Sequence, residues 1–277
     1  MNQFLKSRTI GFLGAGNMAQ AMIRGLLETD FIVPQRVLVS NRSPGKLQKL
    51  TEQFGVTTSR SNEELVEQAD IVIISVKPQD LLAAIEPISR AFLEGQIVIC
   101  LAAGVRMETL EKLLPQCRIV RLMPNTPALI QRGLLGYLLN DDEDDALEGI
   151  VEDLFAPLGR VVKMADEEQF EAFMVACSSG TGFMFELMMY WQDWILEHGF
   201  DPEVAKAITI ETFVGASLLA AESDQVSIEE LQNRVASRKG VTAAGLQSMR
   251  ELEIERALRI SFEKAALRNS EIARELK

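Results

Sequence analysis

The chain has 277 residues, of which 47% are hydrophobic, so it can bury the core of one large domain or two smaller ones. Its 28 basic and 40 acidic residues give a formal net charge of −12, which argues against nucleic acid and anionic membranes as partners. Three scattered cysteines and a single histidine, His198, lack metal-ligand spacing, so we expect reduced thiols and no metal site.

Residues 1–6 contain no apolar stretch of the kind that signal peptides have. The most apolar helical stretch, Phe183 to Leu196, is short for a bilayer and carries Glu186 and Asp193. We therefore expect a cytoplasmic protein that does not span a membrane. His198 precedes Gly199 at a predicted helix end, where a hydrogen-bonding side chain is ordinary capping chemistry.

Residues 9–19 predict a strand, a tight turn and a helix, with the small residues in the pattern Gly14-x-Gly16-x-x-Ala19. Gly14 permits the sharp turn, Gly16 lets a pyrophosphate approach the backbone, and Ala19 allows close packing of helix on strand. The N–H groups at the helix start favour phosphate. The candidate cofactor contacts are Gly14, Gly16, Asn17 and Met18. The alternative is a glycine-rich turn without a ligand.

Strands and helices alternate through the next part of the chain. The predicted strands cover residues 36–40, 55–58, 71–76, 96–101 and 118–122. Helices begin at Ser43-Pro44 and at Ser61, where a Ser cap and a proline at the first helical position are helix-start signals. This alternation predicts a doubly wound, Rossmann-like parallel sheet in an α/β domain.

The pattern changes near Gly133. Residues 134–139 and 160–163 predict two further strands with a helix between them, and only helices follow Asp166. The predicted helices cover residues 167–198, 202–221, 227–237 and 242 to the C-terminus. We place the boundary near Ala165, which predicts a nucleotide-binding domain at residues 1–165 and an all-helical domain at residues 166–277.

The first helix of the second domain is apolar on nearly all sides, which is typical of a helix buried all round. A domain of about 110 residues buries such a helix poorly by itself. We therefore expect a homodimer with helices packed across its interface, and the alternative is a compact monomeric bundle.

The residues after the second strand bear on the choice of nucleotide. NAD-binding relatives of this fold carry an acidic residue there for the ribose 2′-hydroxyl, whereas this chain has Ser40-Asn41-Arg42-Ser43. Arg42 can pair with a 2′-phosphate, and Ser40 and Asn41 supply neutral polar contacts. We therefore expect NADPH as cofactor in preference to NADH. The alternative is that Arg42 is a solvated surface residue.

Three further segments end consecutive predicted strands, at the sheet edge where open α/β proteins bind ligands. They are Ser75-Val76-Lys77-Pro78-Gln79, Ala102-Ala103-Gly104 and Met123-Pro124-Asn125-Thr126-Pro127-Ala128. Small residues in the second segment leave room for a flat ring, and two prolines fix the backbone of the third segment. The candidate cofactor contacts here are Val76, Lys77, Pro78, Ala102, Ala103, Gly104 and Asn125. Each segment alone is also compatible with ordinary turn chemistry.

The glycine-rich turn and these three segments, in this order and at this spacing, resemble the nucleotide-domain motifs of pyrroline-5-carboxylate reductases, which catalyse the last step of proline synthesis. The chain length and the all-helical C-terminal half are similar too. The resemblance implies hydride transfer from NAD(P)H to the cyclic imine 1-pyrroline-5-carboxylate, giving proline. It also implies an interlocked helical dimer that often assembles into a decamer.

Two C-terminal segments depart from the family pattern. Residues 177–182 replace a Ser-Gly-Ser-Gly-Pro-Ala run, and the substrate loop, usually Val-Thr-Ser-Pro-Gly-Gly-Thr-Thr, carries Arg238 and Lys239 in place of proline and glycine. By resemblance, Ser237 and the Gly240 N–H hold the substrate carboxylate, and Thr242 hydrogen-bonds the ring nitrogen. Ser237 and Thr242 are thus the candidate catalytic residues, and Ser179, Lys239 and Gly240 are candidate substrate contacts.

The altered loop leaves other interpretations open. Arg238 and Lys239 can bind a carboxylate directly, select another anion, or form only the basic end of a helix. The chain is then a divergent reductase of another imine or carbonyl acid, or a paralogue that binds NADP(H) without turnover.

Overall fold

The structure is a computed structural model that describes residue 5, residues 7–237 and residues 239–275. It divides into two units: the first comprises Met1–Ser179 and Ala265–Lys277, and the second comprises Gly180–Lys264. The boundary predicted near Ala165 follows the last strand closely, whereas the division between the units falls at Gly180.

The described part of the first unit contains a single eight-stranded sheet. Its strands are β1 Ile10–Leu13, β2 Val37–Ser40, β3 Thr57–Thr58, β4 Ile71–Ile74, β5 Ile97–Cys100, β6 Arg118–Pro124, β7 Gly133–Leu139 and β8 Gly159–Lys163. Their order is β3-β2-β1-β4-β5-β6-β7-β8, and all neighbours are parallel except β6 and β7. This order confirms the predicted Rossmann-like, doubly wound sheet.

Helices separate the strands of the first unit. They are α1 Asn17–Glu28, α2 Pro44–Phe54, α3 Asn62–Gln68, α4 Leu81–Ile85, α5 Met107–Leu113, α6 Asp145–Phe155 and α7 Glu167–Phe173. Short 3-10 turns occur at Pro34–Arg36, Pro78–Asp80, Glu86–Ala91, Thr126–Ile130 and Ala156–Leu158.

The sheet is covered on both faces, as its almost wholly apolar strands require. Along β4, Ile71 and Ile73 pack into one buried cluster, and Val72 and Ile74 pack into another. Successive side chains of a strand point to opposite faces, so the two clusters lie on opposite sides of the sheet. Cys100, at the end of β5, is buried in the second cluster, and burial raises the pKa of its thiol to about 11.

Local signals in the sequence explain where several helices begin and end. The Ser61 hydroxyl accepts a hydrogen bond from the Glu64 N–H at 3.0 Å, which caps α3. Gly55 ends α2 in a left-handed conformation with φ 68°. Gly199 has φ 84° two residues after the end of the helix Gly180–Glu197. His198 Nδ1 lies 2.7 Å from a backbone carbonyl one turn earlier, in agreement with the predicted capping role.

The second unit consists of helices. They are α8 Gly180–Glu197, α9 Pro202–Ala221, α10 Ile228–Val235, α11 Val241–Glu251 and the first part of α12 Ile254–Glu275. Of its described residues, only Gly180, Ile195, Ala205 and Thr209 are buried. A unit with so few buried residues has almost no core of its own, although α8 and α9 are rich in large apolar side chains.

Two predicted helices are interrupted. The helix predicted at residues 167–198 contains a π-helical segment, Met174–Ser179, in which the Ser178 hydroxyl and the Cys177 carbonyl bond to groups at the end of β6. The last predicted helix breaks between α11 and α12, where Glu253 adopts φ 52°. A left-handed residue cannot continue a right-handed helix, so α11 ends there.

The expectation that the apolar helical stretch is too short for a bilayer is wrong. The continuous helical stretch Glu167–Glu197 has 31 residues, and it and Pro202–Ala221 are long and apolar enough to cross a membrane, with mean hydropathies of 1.3 and 1.5. The sequence predicts a helix over residues 167–198, but the expectation rested on the length of residues 183–196 alone, and the comparison with a bilayer here rests only on length and composition. In these two stretches, 17% and 11% of the most apolar window is buried within the chain.

Candidate functional site

A pocket of about 320 Å³ opens where β1, β2 and β4 end. The strand register brings these ends side by side, because Leu13 pairs with both Ser40 and Ile74. Seven of the predicted cofactor contacts line this pocket: Gly14, Gly16, Ser40, Asn41, Arg42, Val76 and Lys77. Its other lining residues are Ala15, Lys46, Asn62, Ser75, Asp80, Ala83 and Ala84.

Gly14 forms the sharp turn at one wall of the pocket. It adopts φ 109°, and a Cβ at this position would lie 3.0 Å from the backbone carbonyl of Ser75. Its N–H donates to the Ser40 carbonyl at 2.8 Å, and the Ser75 hydroxyl donates to the Gly14 carbonyl at 2.9 Å. The turn is therefore held between β2 and β4, and glycine is required there by both conformation and space.

The fold does not require glycine at position 16 as it does at position 14. A Cβ at Gly16 would meet nothing closer than the Ser75 carbonyl oxygen at 3.8 Å, so the packing of the chain alone does not demand glycine. Gly16 is the N-cap of α1, and within the described structure no side chain caps this helix and no acidic residue occupies its first turn. The uncapped N–H groups and the helix dipole form a site for an anion beside a bare backbone.

The polar side chains at the end of β2 brace the pocket wall. The Ser40 hydroxyl donates to Asn62 Oδ1 at 2.6 Å, and Asn41 Oδ1 accepts from the Ala15 N–H at 3.2 Å. Asn41 also donates to the Ser43 carbonyl at 3.2 Å through its Nδ2. Ser40 is buried, so its contact fixes the wall, and Asn41 ties β2 to the glycine-rich turn.

Charged side chains also line the pocket. Arg42 Nη2 lies 3.1 Å from Asp80 Oδ1, and Lys46 lines the pocket from the first turn of α2. The guanidinium of Arg42 is largely exposed, whereas Asp80 is held at the last position of a 3-10 turn. The pocket lining therefore offers three cations, Arg42, Lys46 and Lys77, and one carboxylate, Asp80.

The remaining predicted cofactor contacts do not line this pocket: Asn17, Met18, Pro78, Ala102, Ala103, Gly104 and Asn125. Met18 packs partly against the core. Gly104 has φ 74°, and a Cβ there would lie 2.7 Å from Ile272 Cγ2 of α12. Packing on α12 and the left-handed backbone thus explain this glycine without any ligand. Roles toward the cofactor remain predictions for these residues.

Asn125 connects the end of β6 to the π-helical segment. It is buried, its Oδ1 accepts from the Leu134 N–H at 2.8 Å, and its Nδ2 donates to the Cys177 carbonyl at 3.5 Å. The Ser178 hydroxyl donates to the Pro124 carbonyl at 2.9 Å. These contacts bring the segment that contains Ser179 to the end of β6, so Asn125 and Ser179 belong to one neighbourhood of the first unit.

In the second unit, the predicted substrate residues share one turn before α11. The Gly240 N–H donates to the Ser237 carbonyl at 2.9 Å, and Lys239 between them adopts φ 59°. Gly240 is the N-cap of α11, and Thr242 is exposed in its first turn. Arg238 lies outside the described residues. Lys239, which by the resemblance stands in place of a glycine, thus takes a conformation that glycine adopts most readily.

Asp80, Lys46 and Asn62 line the pocket although the sequence did not point to them, and Ser75 lines it as the first residue of a segment predicted at this edge. Asp80 comes one residue after the segment quoted at the end of β4, whereas the ribose-binding acid of NAD-binding relatives follows the second strand, where this chain has none. Asn62 follows the Ser61 cap, which marked a helix start and carried no sign of the Ser40 contact. A contact between residues that are distant in the sequence, such as Ser40 and Asn62, leaves no local pattern in the sequence.

The pocket fits a dinucleotide in three respects. Gly16 leaves the backbone bare although packing does not require it, the N-terminus of α1 is uncapped in the described chain, and cations line the region beyond the end of β2. The first two features suit a pyrophosphate, and the third suits a 2′-phosphate. Gly14, Gly16 and Arg42 would therefore hold the phosphates of NAD(P)H.

Comparison with known proteins gives two matching family models. Residues 9–104 match the family described as NADP oxidoreductase, coenzyme F420-dependent, and residues 167–272 match the family described as pyrroline-5-carboxylate reductase dimerisation. The second match covers most of the helices that have exposed apolar faces, so self-association explains those faces.

Whole-length relatives agree with these matches. The chain is 32% identical over 268 residues to a pyrroline-5-carboxylate reductase of Pseudomonas aeruginosa, covering 96% of this chain and 97% of that protein. A solved pyrroline-5-carboxylate reductase of Coxiella burnetii has a TM-score of 0.84 and 32% identity, covering 98% of this chain and 99% of the other. A Plasmodium falciparum pyrroline carboxylate reductase solved with NADP bound has a TM-score of 0.87 at 22% identity, covering 97% and 99% of the two chains, and shares the fold.

Proposed function

The chain belongs to the pyrroline-5-carboxylate reductase family, and from this premise we propose that it reduces the C=N bond of 1-pyrroline-5-carboxylate to give L-proline. The enzyme is an NAD(P)H-dependent oxidoreductase. The observation that carries the proposal is the pocket at the ends of β1, β2 and β4, which combines a bare glycine turn, an uncapped helix N-terminus and Arg42.

NADPH is the proposed preferred cofactor. When bound, it supplies a hydride that adds to the iminium carbon, while the π electrons of the C=N bond become the lone pair of the amine nitrogen. The contribution of the chain is to bind and orient both reactants in a near-attack pose. Arg42 and Lys46 provide the charge for a 2′-phosphate, since both line the pocket.

For the substrate, we propose that the Ser237 side chain and the N–H groups at the start of α11 hold the carboxylate and that Thr242 hydrogen-bonds the ring nitrogen. The Gly240 N–H, which the resemblance implied for the carboxylate, donates to the Ser237 carbonyl at 2.9 Å instead. The turn before α11 supports this role, because Gly240 begins a helix of 11 residues whose first N–H groups favour an anion. Lys239 adds a positive charge to the same turn, and its side chain is exposed. Ser179 is proposed as a further substrate contact.

No strong general acid is needed if the imine arrives protonated, because the iminium carbon is then already electrophilic. The side chains proposed here bind, orient and exclude water. This division of labour predicts that substitutions in the turn raise KM for the imine more than they lower kcat, as long as the turn retains its conformation.

We also propose that the chain works as a homodimer, with a decamer as a further assembly of such dimers. The near absence of a core in the described part of the second unit supports the dimer, as does the exposure of Phe185, Trp191 and Trp194 in α8. A second copy covering these side chains provides the missing burial. The cytoplasmic location expected from the sequence is part of the same proposal.

The test is a turnover assay with purified protein and racemic 1-pyrroline-5-carboxylate, following loss of the reduced nicotinamide absorbance with NADPH and with NADH. We expect proline formation with both and faster turnover at low concentrations of NADPH. Tight binding of NADPH without any proline would overturn the proposed substrate. A third reaction with an open-chain keto acid and ammonia distinguishes a divergent reductase.

A further inference from the structure

We propose that Asp80 sets the balance between NADPH and NADH by holding Arg42 away from the 2′-phosphate and offering its carboxylate to a ribose 2′-hydroxyl. This inference rests on the cofactor site of the proposed function. It makes Asp80 a positioning residue for Arg42 and a determinant of cofactor specificity.

The geometry identifies Asp80 as the fixed partner and Arg42 as the movable one. The two side chains meet at 3.1 Å, with Arg42 87% exposed and Asp80 34% exposed. The Asp80 N–H donates to the Lys77 carbonyl at 2.9 Å, and the next residue, Leu81, is buried at the start of α4. The backbone of Asp80 is therefore anchored in the first unit, whereas Arg42 is a long side chain with freedom to turn.

The charges around the contact between Arg42 and Asp80 determine how it changes the affinity for NADPH. Four charged residues line the pocket, namely Arg42, Lys46, Lys77 and Asp80, and only Asp80 is negative. A 2′-phosphate that pairs with Arg42 must share its guanidinium with the Asp80 carboxylate, and these two anions would lie well within the screening length of about 8–10 Å. Repulsion between them lowers the affinity for NADPH relative to a pocket without the carboxylate.

The same carboxylate suits a 2′-hydroxyl. In NAD-selective members of this fold, an acidic side chain after the second strand accepts a hydrogen bond from the ribose. Here that position holds Asn41 and Arg42, and the structure brings an acid to the same pocket from the end of β4. Asp80 therefore supplies from another loop the group that β2 lacks.

The experiment measures dissociation constants of NADPH and NADH by direct titration of the full chain, for wild type, Asp80→Asn and a control. Asn has nearly the same shape as Asp and removes only the charge. We expect Asp80→Asn to tighten NADPH by about five-fold and to leave NADH unchanged or weaker. The control Glu86→Gln removes an exposed negative charge outside the pocket lining and should leave the ratio of the two constants within about two-fold.

A double variant tests whether Asp80 acts through Arg42. In the Arg42→Ala background, Asp80→Asn should give less than half of its effect on NADPH, since no guanidinium remains to be released. If Asp80→Asn leaves the ratio of the NADPH and NADH dissociation constants unchanged, Asp80 does not affect cofactor choice and the proposal is overturned. If the ratio shifts in favour of NADH, Asp80 orients Arg42 for the phosphate, which also overturns the proposal. An equal effect in the Arg42→Ala background would overturn the role of Arg42.

The readout is binding, so it is independent of the substrate. A wild-type chain that binds both nucleotides but yields no proline contradicts the proposed reaction and leaves the Asp80 test intact. Titration with 2′,5′-ADP and with 5′-AMP repeats the comparison on the adenosine half alone. A charge effect of Asp80 that is present with the dinucleotides and absent with these two fragments would contradict the placement at the 2′-position.

Discussion

Arg121 and Glu167 form an ion pair inside the first unit, between β6 and the first turn of α7. The Arg121 side chain is only 3% exposed, and its guanidinium lies 4.1 Å from the ring centroid of Phe170. Glu167 also accepts a hydrogen bond from the Met107 N–H at 2.7 Å, at the start of α5. Burial lowers the pKa of Arg121 and the neighbouring Glu167 opposes this shift, so the arginine stays charged.

Removing Glu167 should therefore destabilise the first unit more than its partial exposure implies. Glu167→Ala leaves the buried guanidinium unpaired, and we expect the free energy of unfolding to fall by about 2–3 kcal/mol in a urea titration. The control Glu168→Ala removes an exposed neighbour in the same helix turn and should change it by less than about 0.5 kcal/mol. The double variant Arg121→Met with Glu167→Met should recover part of the loss, and equal losses for Glu167→Ala and Glu168→Ala would contradict a buried pair.

The contrast between the sheet and this ion pair shows which features the sequence reveals. Strands such as β4 and β5 are predicted from continuous β-branched apolar runs, because such runs are typical of strands buried on both faces. Arg121 interrupts such a run, and its partner lies 46 residues away, so no local pattern connects them. Asp80 and Arg42 pose the same problem in the candidate site. The glycine turn was predictable because its glycine and alanine pattern lies within six consecutive residues, although the Ser75 carbonyl that leaves no room for a Cβ at Gly14 comes from β4.

The two glycines of that turn allow a test that separates folding from binding. Gly16→Ala should leave thermal stability within about 2 °C of wild type, since its Cβ meets only the Ser75 carbonyl oxygen at an ordinary 3.8 Å. It should weaken NADPH binding by about ten-fold or more, because the new methyl group stands where the pyrophosphate approaches. Differential scanning calorimetry and a fluorescence titration measure the two effects.

Gly149→Ala is the matched control for that variant. Gly149 lies within α6 and has nothing within 4 Å of an added Cβ, so the substitution should be neutral or stabilising by about 0.5–1 kcal/mol, with unchanged NADPH binding. Gly16→Ala with wild-type affinity for NADPH would contradict the placement of the pyrophosphate at this turn.

The exposed aromatic residues of α8 predict how the chain assembles. Trp194 is 62% exposed. Tryptophan side chains that become buried at the centre of an interface often contribute a large share of the binding free energy. Trp194→Glu should raise the dimer dissociation constant by about 30-fold or more in sedimentation equilibrium, because a charge in an apolar interface loses its hydration. Asp193→Asn, at an exposed neighbouring position, should leave it within about three-fold. A wild-type chain that remains monomeric, or a variant that still dimerises normally, would contradict this interface.

Lys239 tests whether the substrate carboxylate is held by a side-chain charge or by the backbone of the turn. Its φ of 59° is a left-handed conformation that costs a non-glycine residue about 1–2 kcal/mol, whereas glycine adopts it freely but loses about 0.5–1 kcal/mol of chain entropy on folding. These effects nearly cancel, so Lys239→Gly should leave stability within about 1 kcal/mol of wild type.

The kinetic consequence then depends on the charge alone. We expect Lys239→Gly to raise KM for 1-pyrroline-5-carboxylate by about five-fold with little change in kcat, and Lys239→Arg, which keeps the charge, to stay within about two-fold of wild type. Lys239→Val is the conformational control, because a β-branched residue is disfavoured at positive φ and should impair the turn closed by the Gly240 N–H and the Ser237 carbonyl. If Lys239→Gly has an unchanged or lower KM, the N–H groups at the start of α11 hold the carboxylate without help from the lysine, as the glycine of the family's loop implies.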